Sequence, residues 1–235
     1  MIYGERVFAF NETTSNSTDK NLSDELIKGF PAVYALAEAT DNYDLLESYS
    51  DILANYIDNK NEIVNEEARA NTKYTNIIKS YSYQWREAMK AGKKLVKEDK
   101  YKEAKVKFKE SQDVAIKMLE KIKNVKNDTV GTAVRGGLIY NVALGTIMIY
   151  LLPCLVLSVP IIKLFGAKGV AATIFTFNID AIYSMINLFK SALNDKEKIT
   201  KSLNFYKNNI EAAGKLLKDI STGCINACNE KMKTK

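Results

Sequence analysis

The chain has no histidine among its 235 residues. That removes imidazole from general acid/base chemistry, from Ser-His and Cys-His nucleophile pairs and from metal ligation. Cysteine is nearly as scarce: Cys154, Cys224 and Cys228 are an odd number and make no disulfide framework. With only three prolines and eleven glycines, little interrupts long helices. No Gly-rich phosphate loop, paired catalytic carboxylates or nucleophile elbow can be found. The start, MIYGERVFAF, lacks the apolar core of a secretory signal and carries Glu5 and Arg6 inside it. A reducing compartment is therefore expected. These absences argue against an enzyme, and no cofactor, metal or small-molecule substrate is expected.

What the chain has instead is apolar length. Gly136 to Ile162, GGLIYNVALGTIMIYLLPCLVLSVPII, runs 27 residues without a charge. Gly169 to Phe189 adds 21 residues with a single charge, Asp180. Since roughly 20 apolar residues suffice to cross a bilayer as a helix, the pair reads as an apolar helical hairpin joined at Lys163–Lys168. Pro153 should kink its first arm. Lysines before and after the hairpin outnumber Lys163 and Lys168 in the turn, which predicts a membrane location with both termini cytoplasmic. Asp180, with Asn178 nearby, would have to meet protein, water or an ion. A buried helical pair inside a protein core is the competing reading, because helices apolar all round also occur there.

Outside the hairpin the charge is uneven. Residues 1–89 carry 8 basic and 15 acidic side chains, and residues 90–126 carry 13 lysines and 6 acids. The two segments are expected to lie side by side. The lysines are interleaved with Glu98, Asp99, Glu103, Glu110, Asp113 and Glu120, which reads as a solvated helix face and does not favour nucleic acid.

Apolar residues follow three-four spacing in three long runs. These are Leu45/Leu46, Tyr49, Ile52/Leu53, Tyr56 and Ile63 on to Ala70, Tyr74, Ile77/Ile78, Tyr81, Trp85, Ala88/Met89 and Gly92; Tyr101, Ala104, Phe108, Ser111, Ala115, Met118, Ile122 and Val125; and Ile199, Leu203, Tyr206, Ile210, Ala213, Leu217, Ile220, Cys224 and Ala227. A break near Lys97–Lys100 should reverse the chain, so that 43–89 packs antiparallel to 100–126 with Phe108 buried between them. Tyr101, Ala104, Phe108 and Ser111, with Gly92 before them, resemble one helical hairpin of a tetratricopeptide repeat over about 30 residues. The pattern occurs once and implies only helix-pair packing.

The expected fold is all-α: long antiparallel helices in a bundle or coiled-coil stalk, a central apolar helical hairpin and a short N-terminal extended segment. The divisions are an arm and polar linker over 1–20, a helical bundle over 21–128, the apolar hairpin over 129–190 and an amphipathic helix over 191–235. The layout is similar to that of α-helical pore-forming proteins, and it implies a non-enzymatic, membrane-inserting protein that assembles through coiled-coil-like helices. Lipid and further copies or other subunits are the expected partners, with Asp180, Lys163, Lys168, Pro153 and Asn178 as membrane or assembly residues. The alternative is a structural component of a larger assembly, such as a phage virion, with Ile2–Phe10 as a strand docked on a neighbour.

Overall fold

A computed structural model describes residues 18–65, 72–130, 137–165 and 203–234. The expected strand Ile2–Phe10, the second apolar run and the residues Lys168, Asn178 and Asp180 lie outside the described residues. Among the described residues the fold is all-α. The helices are α1 (Thr18–Thr40), α2 (Asp44–Asn65), α3 (Thr72–Lys97), α4 (Tyr101–Val130), α5 (Gly137–Phe165) and α6 (Leu203–Lys233).

Two tight turns set the packing. At the end of α1, Asp41 takes a left-handed conformation (φ 50°), Asp41 N–H donates to Glu38 O at 3.4 Å and Asn42 N–H to Ala37 O at 3.0 Å. At the end of α3, Asp99 does the same (φ 58°), with Asp99 N–H on Val96 O at 3.0 Å and Lys100 N–H on Leu95 O at 2.9 Å. Paired bonds of this kind satisfy the last helical carbonyls and turn the chain sharply. Both next helices therefore start within three residues, and α3 and α4 form the hairpin expected from the break near Lys97–Lys100.

α3, α4 and α6 pack on one another along their lengths; α5 lies against α2, α3 and α6, and α1 packs on α2. The three-four seams are the core. Leu46, Ile78, Trp85, Met89, Phe108, Met118, Leu217 and Cys224 are buried in one continuous cluster. Phe108 is buried as expected, against Gly92 of α3 and edge-on to Phe165 of α5, ring centres 5.8 Å apart.

The described stretch of the first apolar run corrects the membrane reading. Every side chain from Tyr150 to Ile162 is buried within the protein. A helix that is apolar all round must be covered on every side, and here α2, α3 and α6 supply the cover. Among the described residues no helix is long and apolar enough to cross a membrane. Membrane insertion, pore formation and a membrane location with cytoplasmic termini are thereby overturned. α5 continues unbroken past Pro153 and Pro160.

A second correction concerns charge. The periodicity from Tyr43 to Met89 is divided between α2 and α3, and the partner of the acidic α2 is α3 itself, not the Lys-rich α4. Charge tallied over long segments hides that α3 carries its own basic row from Lys79 to Lys97.

Candidate functional site

Polar chemistry is concentrated at two places, both on α3. The first is a ribbon of ion pairs to α2. On α2, Asp44, Glu47, Asp51 and Asp58 share one side because three-, four- and seven-residue steps return to the same face. On α3, Lys79, Arg86, Lys90, Lys93 and Lys97 do likewise. Asp58 meets Lys79 (2.7 Å), Asp51 meets Lys90 (2.6 Å) and Arg86, Glu47 meets Lys93, and Asp44 meets Lys93 (2.5 Å) and Lys97 (2.9 Å). As the α2 number falls the α3 number rises, so the two helices run in opposite directions.

Two of these cations are buried: Arg86 is 5% and Lys93 4% exposed. A buried charge is tolerated only when paired and hydrogen-bonded. Lys93 is served by two carboxylates and Arg86 Nη2 by the Asp51 carboxylate and by Ser50 O at 3.3 Å. Arg86 Nε, buried as well, has no acceptor among the described residues. The Lys93 ammonium, then that of Lys97, holds the Asp44 carboxyl below its ordinary pKa. At the other end of the ribbon, Tyr83 O–H donates to the Asp58 carboxylate, and burial followed by that carboxylate pushes the phenol pKa up.

α2 also touches α5. Leu46, Leu53 and Ala54 are buried, Ser50 Oγ donates to Pro153 O at 2.9 Å, and Tyr49 is buried against Phe30 of α1. Ser82 O accepts a weak bond from Cys154 Sγ at 3.5 Å, tying α5 to α3. Thus α2 rests on α5 by apolar packing and reaches α3 through long cationic side chains.

The second polar place lies between α3, α4 and α6. Trp85 Nε1–H donates to Ser221 Oγ at 3.1 Å, and Ser221 Oγ lies 3.0 Å from both Ser111 Oγ and Leu217 O. Met89 Sδ is 3.9 Å away. All four side chains are buried. The hydroxyls complete a Trp N–H that would otherwise be buried unpaired. This cluster fixes helix register and offers no exposed reactive group.

The cysteines are equally enclosed. Burial pushes the Cys154 thiol up to about 12 and the Cys228 thiol up to about 11, and raises that of Cys224 too. Such thiols stay protonated and unreactive near neutral pH. Among the described residues no group of three His, Cys, Asp or Glu could hold a metal ion.

Of the residues singled out from sequence, Pro153 contributes the carbonyl that binds Ser50. Lys163 sits at the end of α5, 3.8 Å from Glu38 and 4.8 Å from the centre of the Tyr43 ring. It joins α5 to the α1–α2 turn. Sequence reasoning missed Arg86, Lys93 and Ser221. The usable signal was the matched spacing of acids on α2 and bases on α3.

The chain matches no protein-family description, no curated protein and no solved structure. These comparisons give no support to a membrane or virion role.

Proposed function

We propose that this is a non-enzymatic helical protein that works by packing against other protein chains, copies of itself first. The observation that carries the reading is on α1. Phe30 and Ala37 point inward and are buried, while the opposite face presents Ala32, Ala35, Leu36 and Ala39 to solvent, Leu36 at 51% exposure. A surface helix ordinarily keeps that face charged or polar. A small-residue face with one projecting Leu suits an isologous contact, in which the same patch serves both copies. The enclosed thiols and the mutually paired carboxylates and cations support a structural role over a chemical one. The finer architecture in this reading is an antiparallel bundle whose three-four seams are coiled-coil-like.

Analytical ultracentrifugation tests it. The full chain should sediment as a dimer or larger species, and Ala35→Glu/Leu36→Glu should sediment as a monomer with unchanged helical circular dichroism. A wild-type monomer at all concentrations, or an oligomer indifferent to the double substitution, would reject the α1 contact.

A further inference from the structure

A helix packed on its neighbours through two different kinds of contact shows what kind of helix its seat accepts. The seat of α2 has an apolar side on α5 and a cationic side on α3. Toward α5, α2 buries Leu46 and Leu53 and anchors Ser50 to Pro153 O, while Tyr49 turns to Phe30 of α1. On the cationic side Arg86, Lys90, Lys93 and Lys97 are spaced four, three and four residues apart. They match carboxylates spaced three and four apart on an antiparallel helix, as Asp44, Glu47 and Asp51 are. α2 does not fill the seat fully. Arg86 Nη2 is bound by Asp51, yet Nε, which lies on the same edge of the guanidinium, is buried without an acceptor among the described residues. A planar guanidinium presents that edge as a two-donor fork to one carboxylate. Asp51 Oδ1 is instead shared between Arg86 and Lys90, and Oδ2 goes to Lys90 at 2.8 Å.

From this we infer that the α3–α5 seat is a binding site for an acidic amphipathic helix, filled in cis by α2 and open to a helix of the same kind from another protein chain. The partner carries acids at steps of three and four beside an apolar stripe. It binds best with a glutamate where α2 has Asp51, because one more methylene brings a carboxylate onto both donors of Arg86. The cis helix then acts as a built-in competitor. Tethered, it is present at an effective concentration on the order of millimolar. This inference stands apart from the α1 contact, which lies on another helix and uses no charge.

The test uses the full chain carrying Asp44→Lys/Asp51→Lys, which sets α2 against the cationic row. A labelled synthetic peptide of residues 43–65 is titrated against it by fluorescence anisotropy. The reversed chain should bind the peptide at least roughly 100-fold more tightly than the wild-type chain, whose own helix competes. The peptide with Asp51→Glu should bind roughly tenfold more tightly still, the worth of one added charge-assisted bond. Peptide with lysine at 44, 47 and 51 should not bind. Overturning results are equal binding by the two chains, equal binding of the lysine peptide, or no binding by a reversed chain whose α4 and α6 amides keep wild-type protection in hydrogen exchange. Should the reversed chain not fold, the wild-type chain decides. High salt should then speed exchange in α2 and in Tyr150–Ile162 while α4 and α6 stay protected. A uniform response, or none, would overturn the seat.

Discussion

On its α4-facing side, α3 is packed so closely that a methyl group on Gly92 would come within 2.5 Å of Phe108 Cε1. On its α2-facing side it reaches its neighbour through the side chains of Lys79, Arg86, Lys90, Lys93 and Lys97. The first contact is dry and shape-dependent, and its few polar atoms, Trp85 Nε1, Ser111 Oγ and Ser221 Oγ, satisfy one another. The second is ionic and spans a wider gap. Close packing cannot be changed by one methylene without cost, whereas paired charges tolerate distance but depend on both partners being present. The α3–α4–α6 side should therefore set global stability, and the α2 side should set what is docked.

The largest effect should come from the dry side. Phe108→Ala removes a ring fully enclosed by Gly92, Phe165 and their neighbours, and should cost about 3–5 kcal/mol in urea unfolding. A loss under about 1 kcal/mol would mean the seam can collapse around the gap and would erase the contrast.

On the ionic side the sign should depend on which partner is removed. Asp44→Asn/Glu47→Gln leaves the Lys93 ammonium, 4% exposed, without a carboxylate. It should cost about 2–3 kcal/mol, since an uncompensated buried charge is penalised. Lys93→Met removes the charge and keeps the volume, and should stay within about 1 kcal/mol of wild type. If Lys93→Met proves the more damaging, the ribbon is itself a source of stability and the comparison fails.

Acid should read the same asymmetry. Hydrogen bonding to Lys93 first and Lys97 second lowers the Asp44 pKa in the folded chain relative to its unfolded value near 3.9. The stabilisation this represents is complete above that unfolded value and is lost as pH falls through the lowered folded one. Wild type should thus lose stability below about pH 4. A Lys93→Met/Lys97→Met chain should lose less over the same interval, as followed by urea midpoints. Equal acid sensitivity in both would place the titrating groups elsewhere.

The seams were legible in the sequence because burial of one helix face imposes three-four spacing. Trp85, Phe108, Met118, Leu217 and Cys224 could be picked out as core from spacing alone, whereas spacing did not separate Leu45 from the buried Leu46. The α3–α4 turn was legible from the loss of pattern near Lys97–Lys100. The fate of the apolar run was not. Charge-free length says only that a helix must be covered on all sides, and cover by α2, α3 and α6 satisfies that as well as lipid does. The ionic ribbon was hidden for a different reason. Summing charge over residues 1–89 counted Lys79 and Arg86 with the acids they serve, so a pairing between α2 and α3 was read as a difference between segments. Ser221 carried no signal, because a hydroxyl that completes a distant Trp looks like any other seam serine.

The smallest effects should come from the two turns, which share a backbone but not a setting. Asp41 and Asp99 both take left-handed φ values, 50° and 58°. An L side chain is strained there by roughly 1–2 kcal/mol, and glycine is not. Part of that relief is offset because glycine loses more chain entropy on folding. At Asp41 the side chain is exposed, and Asp41→Gly should stabilise the chain by about 0.5–1 kcal/mol. At Asp99 the carboxylate also accepts Tyr101 O–H at 2.7 Å and stands just before the first turn of α4. An acid there favours the positive end of the helix dipole. Asp99→Gly gains the same backbone relief and loses both interactions, so its net change should be close to zero. Thermal unfolding of the two variants side by side measures the difference. Equal gains would mean that Asp99 contributes only its backbone, and that the ordinary surface electrostatics of the α3–α4 turn are worth nothing measurable. A larger gain at Asp41 alone would show that the turn holding α1 to α2 carries strain which the turn holding α3 to α4 has offset with its own side chain.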